Sequence, residues 1–455
     1  MSTTTELSVS SPSTSSSSPS DFIGSSLPPL KGTDTDYAFT RDSILVRLPL
    51  IVKETSDRNP ELSKEEKEQI YAIATEVANN GVVIPLLSSQ PESEWETTYV
   101  QPYLGQHYLD IPWFFVENYI YKRILDIVRP HHPTLDPFLS QKMEALYAAG
   151  PAFIETVLPL LNEFDSIKTN PDNRSISFRD VLHRSLWGNR ADLSMSGGKV
   201  HTIEHKKSTV SNDAASNTVI IHEEDLSSLL LWDDTKAIET YLNTLSSTST
   251  NNNIEIMIIL DNCGLELLSD LVLVYGLLSL NYCYKITLMS KTSPVFVSDA
   301  LPIDIERHIQ WLETNTLSST TTTESQWTCS KLASALREYQ KSGQLCIENH
   351  AFFTSPLPAW EMPKDLRQRL SIVKLAIIKG DANYRRLLGD RHWNHQTPFA
   401  TAIAYYPCPA VALRTFKGAL AVGVSKEGEE RARKSNPTDW LVSGKFGVIH
   451  YKPKE

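Results

Sequence analysis

The chain has 455 residues, 41% of them hydrophobic, 21% charged and 9% aromatic. At roughly 150 residues per domain, that length allows about three units and a large core. Its 43 Lys and Arg face 54 Asp and Glu, so the net charge of −11 repels a polyphosphate backbone and argues against general nucleic-acid binding.

In chain order, the first twenty residues carry ten serines and four threonines and almost nothing apolar. Such a segment cannot offset its ordering entropy, so residues 1–35 read as a disordered tail. No basic start followed by an apolar core marks a signal peptide. Residues 36–174 read as a helical N-terminal region. Ser63-Lys64-Glu65-Glu66 is a capping-box signature, Asn80-Gly81 closes that helix, and apolar-periodic stretches follow over Trp113–Val128 and Pro137–Leu161.

From residue 175 to 455 short apolar runs alternate with helical stretches. Strands are expected at Thr218–Ile221, Ile254–Leu260, Lys285–Leu288, Gln344–Ile347, Val373–Ile378, Ala410–Leu413 and Gly447–Tyr451. Helices are expected at Leu226–Leu245, Gly264–Ser279, Ile303–Leu312, Lys331–Lys341 and Asn383–Leu388, with polar insertions at Gly197–Ser216, Ser246–Asn253 and Leu317–Ser325. This alternation predicts an α/β domain, a mostly parallel sheet with helices on both faces. The longest apolar run, Leu271 to Leu280, is too short for a bilayer span, so no membrane role is expected. Five cysteines without a Cys-x-x-Cys pair fit a reducing compartment, cytoplasm or nucleus, better than a disulfide scaffold.

In such a sheet, ligands bind at the carboxyl ends of the strands. Ile254–Leu260 runs into Asp261-Asn262-Cys263-Gly264, with a helix following; Val295–Ser298 runs into Asp299; and Ile377–Gly380 runs into Asp381, Asn383 and Arg385. Carboxylate and amide oxygens converging on one sheet edge suit a hard cation such as Mg²⁺ or Mn²⁺, which keeps positions for water and a substrate phosphate. An Asp-Asn pair carries less negative charge than Asp-Asp, which suits an anionic substrate. Arg385, Arg414 and Lys417 are the cations nearest such a phosphate. Taken singly, each has a plainer reading: an Asp after a strand is often a helix cap, and Arg414 with Lys417 reads as a solvated face. His201 with His205, and His392 with His395, read as solvated loops, and His131-His132 as a turn. No phosphate-binding loop, Gly-x-Gly or Gly-x-Ser-x-Gly elbow is present, which disfavours ordinary nucleotide or S-adenosylmethionine loops and serine hydrolases.

Asp261-Asn-Cys-Gly-Leu-Glu266-Leu-Leu-Ser-Asp270 resembles the signature of the metal-dependent damage-control phosphatases, domain-of-unknown-function family eighty-nine. Further segments fit: Pro112–Arg123, Leu186-Trp-Gly-Asn189-Arg-Ala-Asp192-Leu-Ser194, Pro294–Asp299, Lys379–Arg385 and Gly389–Trp393. Leu413-Arg414-Thr-Phe-Lys417 carries the Arg-Thr-x-Lys motif of the family's sugar-phosphate subgroup. The resemblance covers residue 36 to the end. It implies a Rossmann-like three-layer α/β/α domain behind a helical region, and divalent-metal-dependent hydrolysis of sugar phosphates such as fructose 1-phosphate and fructose 6-phosphate. Mn²⁺ or Mg²⁺ is the expected metal, with Co²⁺ or Ni²⁺ admissible. Carried over by residue, Asp261, Asn262 and Asp299 match metal ligands; Asp381, Ala382, Asn383, Tyr384, Arg385 and Lys417 match substrate-binding positions. Asn189 and Asp192 are further candidates for the sugar, and Glu266 and Arg414 for supporting roles. Attack by water and attack by the Asp261 carboxylate are both compatible with these residue types.

Where the family places an acid two residues after this lysine, the chain has Ala419; either Glu266 and Asp270 compensate, or the acid serves only to orient Lys417. Two other functions stay open at this point. One is S-adenosylmethionine-dependent methylation of protein carboxyl groups, attributed to relatives of the subgroup. The other is sugar-phosphate binding with little turnover.

Overall fold

The computed structural model describes residues 27–28, 30, 38–87, 95–169, 174–189, 202–204, 218–220, 226–248, 254–314 and 323–454. The tail expected over residues 1–35 lies almost wholly outside them, as do Asp192, His201 and His205.

The helical region begins with α1, which runs from Ala38–Asp42 through a π-helical turn at Ser43–Arg47 into Leu48–Asp57. Helix α2 (Lys64–Ala78) opens on the expected capping box: Ser63 and Glu66 each accept the other's backbone N–H, and Asn80 beyond its end takes φ +51°. Helices α3 (Trp113–Val128), α4 (Leu139–Thr156), α5 (Leu160–Thr169) and α6 (Arg174–Gly188) follow, so the stretch expected as one helix over Pro137–Leu161 is broken before Leu160.

Two short strands, β1 (Thr202–Glu204) and β2 (Thr218–Ile220), pair in parallel by themselves. The main sheet holds β3 (Leu230–Asp233), β4 (Glu255–Ile259), β5 (Lys285–Ser290), β6 (Leu345–Asn349), β7 (Leu375–Lys379), β8 (Ala410–Thr415) and β9 (Gly447–Lys452), in the order β3-β9-β8-β7-β4-β5-β6. The five strands from β8 to β6 are mutually parallel; β9 runs antiparallel to β8 and β3 parallel to β9. Between them lie α7 (Thr235–Thr248), α8 (Leu265–Ser279), α9 (Pro302–Thr314), α10 (Thr323–Ser342), α11 (Lys364–Ser371), α12 (Asp381–Leu388), α13 (Phe399–Ala402) and α14 (Lys426–Ser435).

Alternation along the central strands explains the layers. Ile256, Ile258, Leu375, Ile377, Val411 and Leu413 face one apolar core, while Met257, Ile259, Ala376, Ile378, Ala410 and Ala412 face the other. Helix α8 is buried along almost its whole length because α4, α5, α6 and α10 cover its outer side, which is why its sequence is apolar all round. A third core joins α1, α2 and α3 to Val295, Phe296 and Val297 of the loop after β5. The chain therefore presses its N-terminal helices against a loop at the sheet's carboxyl edge, where the site lies.

Two expectations fail. Leu226–Leu245 is not one helix. It contains a 3₁₀ turn, Ser227–Leu229, then β3, then α7, whose first residue is capped by Asp233 Oδ1 at 2.9 Å from the Thr235 amide. A leucine run reads as helix locally, but pairing with β9, over two hundred residues away, decides the outcome. Val295–Ser298 is not a strand either: Phe296 and Val297 adopt φ of +49° and +64°. Such angles are costly for a β-branched residue, and packing of Phe296 on Phe114 and Tyr121 maintains them.

Among the described residues no helix is long and apolar enough to cross a membrane.

Candidate active site

Strand order reverses at β4 and β7: β5 and β6 continue on one side of β4, β7 and β8 on the other. The loops leaving this switch point are Asp261–Gly264 after β4 and Gly380 before α12. Both turns need glycine. Gly264 has φ +80°, and Gly380 has φ +82° with ψ 176°; a Cβ on Gly380 would lie 1.8 Å from Asp261 Oδ2. A third close approach is Gly188, whose Cβ would stand 2.8 Å from Glu266 Cα. Its absence brings the end of α6 onto the start of α8 and delivers Asn189 to the site.

Asp261, Asn262, Asp299, Asp381, Ala382, Arg385 and Lys417 line one cavity. Asp299 reaches it from the strained loop and makes an isolated antiparallel bridge with Asn262. The Cys263 amide donates to the Ser298 carbonyl at 2.7 Å, and the Ala300 amide to the Asp261 carbonyl at 2.8 Å. These backbone bonds hold the two loops side by side.

Asp261 Oδ2 accepts from Asn189 Nδ2 at 3.0 Å and Asn262 Nδ2 at 2.8 Å. The same two amides donate to Glu266 Oε2, at 2.7 and 2.9 Å, and Ser298 Oγ donates to Asn262 Oδ1 at 2.6 Å. Behind them Lys379 is fully buried between Glu266, at 3.2 Å, and Asp270, at 2.9 Å. Burial alone would push this lysine's pKa down; the two carboxylates carry it above its ordinary value. Glu266 and Asp270 thus serve Lys379, whereas Lys417 Nζ donates to the Asn189 carbonyl. Neither acid takes the place of the one replaced by Ala419, which is nearly buried between Gly418 and Leu420.

Lys291, absent from the expected set, ties the loop that carries Asp299 to helix α12. It is 1% exposed and meets Asp299 Oδ2 at 3.2 Å and Asn383 Oδ1 at 3.1 Å. Asn383 also gives its amide hydrogens to the carbonyls of Leu260 and Lys379, at 3.0 and 2.9 Å. Tyr384 stacks on Phe399 and His450. Both side chains face the interior, so of the Asp381–Arg385 segment only Asp381, Ala382 and Arg385 line the cavity. Arg414 is fully buried, donating to Asp381 Oδ1 at 2.7 Å and to the carbonyls of Leu420 and Gly418 at 2.6 and 2.9 Å. It shapes the loop that carries Lys417.

Arg385 makes a fork-to-fork pair with Asp390, at 2.9 and 2.6 Å, and donates to Glu117 Oε2 at 2.7 Å over the face of Trp113. Burial opposes its charge, but Asp390 and Glu117 raise its pKa. Arg47, Leu48, Ile51, Trp113, Glu117 and Tyr121 complete the wall from the N-terminal helices. Residue spacing does not place these; the one signal is Glu117, the single charge in the first nine residues of α3, Trp113–Tyr121.

The donor set suits a hard divalent ion. Among the described residues no group of three or more His, Cys, Asp or Glu is placed for a metal, so an ion here would rest on two carboxylates and an amide. Two carboxylates and one amide on one wall match the few protein oxygens that Mg²⁺-type ions take alongside phosphate and water. The cavity's charged groups are Asp261, Asp299, Asp381 and Glu117 against Arg47, Arg385 and Lys417, one net negative charge that a divalent ion turns positive.

Known proteins resemble this chain over most of its length. A family model described as the damage-control phosphatase ARMT1-like domain matches residues 44–432. Curated relatives named damage-control phosphatase ARMT1 include one from Macaca fascicularis, 30% identical and aligned over 86% of this chain and 87% of its own. Another, from Homo sapiens, is 31% identical over 75% of this chain and 74% of its own. A crystal structure of a DUF89 family protein from Pyrococcus horikoshii aligns over 91% of this chain and 98% of that one, with a TM-score of 0.43 and 12% identity. The chain belongs to the damage-control phosphatase ARMT1-like family.

Proposed function

We propose that the protein is a metal-dependent phosphatase that hydrolyses phosphorylated sugars of the fructose 1-phosphate and fructose 6-phosphate type. The observation that carries the reading is a single cavity lined by Asp261, Asn262 and Asp299 together with Arg385 and Lys417. Asp261, Asn262 and Asp299 are the residues that would hold one Mn²⁺ or Mg²⁺. When bound, the ion supplies Lewis-acid polarisation of a phosphoryl oxygen and neutralises developing charge.

The chain's own groups do the rest. Lys417, anchored on the Asn189 carbonyl, and Arg385, clamped by Asp390 and Glu117, present fixed positive charge to the other phosphoryl oxygens. Because both are held before substrate arrives, they stabilise the transition state without reorganising. Asp381, fixed by Arg414 and by the Lys417 amide at 3.2 Å, accepts a sugar hydroxyl. Asp261 Oδ2 already takes two amide hydrogens, which suits a ligand better than a nucleophile. Water then attacks phosphorus, the phosphorus–oxygen bond to the sugar breaks, and the sugar leaves as its alcohol.

The test is phosphate release from fructose 1-phosphate by EDTA-stripped protein, with and without Mn²⁺. Release only with metal, lost in Asp299→Ala, supports the reading. No release with any divalent ion across a sugar-phosphate panel overturns it.

A further inference from the structure

The N-terminal helices bring Arg47 to the cavity, a charge that the phosphatase reading leaves without a role. Arg47 sits in the π-helical turn of α1, a local widening of the helix of a kind that often re-aims a side chain at a functional site. Leu48 and Ile51, in the following turn, line the same cavity. The Arg47 side chain is 20% exposed, whereas Glu117 and Arg385 beside it are each 4% exposed, so Arg47 stands nearer the mouth. Its guanidinium meets Glu117 Oε1 at 3.0 Å, while Glu117 Oε2 takes Arg385 at 2.7 Å. One buried carboxylate therefore links the mouth to the inner arginine.

Asp390 holds Arg385 from behind without lining the cavity, and Arg385 faces the phosphate, so the outer part of this wall is the Arg47–Glu117 pair, which has no net charge but offers a donor and an acceptor. Such a surface suits hydroxyl groups, which both donate and accept. A second anionic group placed there would meet Glu117 with no surplus of positive charge to hold it. We infer that Arg47, positioned by Glu117, is a specificity-determining residue that reads the uncharged, hydroxyl-bearing body of a substrate carrying a single phosphate. This rests on the phosphatase reading and assigns the far end of the same substrate.

The test compares two constants in wild type, Arg47→Ala and Arg47→Lys, with Mn²⁺ present: KM for fructose 1-phosphate and the inhibition constant of inorganic phosphate, which has no sugar body. In Arg47→Ala the KM rises about tenfold, as expected for loss of a charge-assisted hydrogen bond, while phosphate inhibition stays within about twofold. Arg47→Lys recovers part of the KM. Wild type turns over fructose 1,6-bisphosphate at least about tenfold less efficiently than fructose 1-phosphate, since its second phosphate meets a neutral wall. A KM and an inhibition constant that weaken together, an unchanged KM, or equal use of the bisphosphate overturns the inference. A wild type that releases no phosphate sinks the phosphatase reading separately; the same affinities, measured by calorimetry, then decide the role of Arg47.

Discussion

Replacing Gly380 by alanine tests whether the geometry of Asp261 is set by the turn before α12. The added methyl would lie 1.8 Å from Asp261 Oδ2 and 2.1 Å from its Cγ, so the carboxylate must leave its place. Backbone at φ +82° and ψ 176° is essentially glycine territory and costs an alanine about 1–3 kcal/mol. Displacing Asp261 also breaks bonds from Asn189 and Asn262, each worth about 1.5–3 kcal/mol for a charged acceptor. If one of the two is remade, the total is about 2.5–6 kcal/mol. Gly343→Ala is the control, because Gly343 has φ +76° but nothing within 4 Å of its Cβ position, leaving only a backbone cost of about 1–2 kcal/mol. Denaturant unfolding and Mn²⁺ calorimetry on both variants separate the effects. Gly380→Ala should lose stability beyond the control and weaken Mn²⁺ binding by about tenfold or more. Equal stability and equal Mn²⁺ affinity in the two variants would refute the reasoning.

Two further outcomes follow from the contacts. Lys417→Gln should retain Mn²⁺ binding but lower kcat/KM for fructose 1-phosphate by about a hundredfold, measured by phosphate release, because a fixed cation facing the phosphoryl oxygens is lost; unchanged turnover would remove Lys417 from the site. Acid should destabilise the fold through His308. Its Nε2 accepts from the Gly264 amide at 2.8 Å and its Nδ1 contacts the Asp304 carbonyl at 2.7 Å, so the ring is neutral, and burial lowers its pKa to about 4. Below pH 6.5 the unfolded chain binds a proton that the folded chain refuses, so stability falls as pH drops from about 6.5 towards 4, by about 3 kcal/mol. His450, lowered to about 3 by burial, acts in the same direction. Unfolding free energies across that range should decline less in His308→Asn; parallel curves would contradict the assignment.

The parts of the site legible in the sequence are those fixed by local order. Asp261 and Asn262 follow an apolar strand and precede a glycine and a helix, and Asp381 follows Gly380 in the same way, so the switch-point rule brings them together. Spacing could not say which way α12 turns: Asn383 and Tyr384 lie beside Asp381 in sequence, yet their side chains brace the strands and the far core. The Val-Phe-Val run before Asp299 reads as strand, because its left-handed angles come from packing on α3 and not from its own preferences. Strand β3 is four residues long and hidden in a leucine-rich stretch, so only its distant partner β9 defines it. Arg47 and Glu117 come from helices far away in sequence, and nothing in their spacing announces that they face the cavity.

We propose that Asp261, Asn262 and Asp299 together hold one divalent ion. Electron paramagnetic resonance of Mn²⁺ titrated into EDTA-stripped protein tests it without relying on turnover. One bound ion per chain is expected in wild type and in Lys417→Gln, and none at the same concentrations in Asp299→Ala. Undiminished Mn²⁺ binding in Asp299→Ala, or none in the wild type, would contradict it.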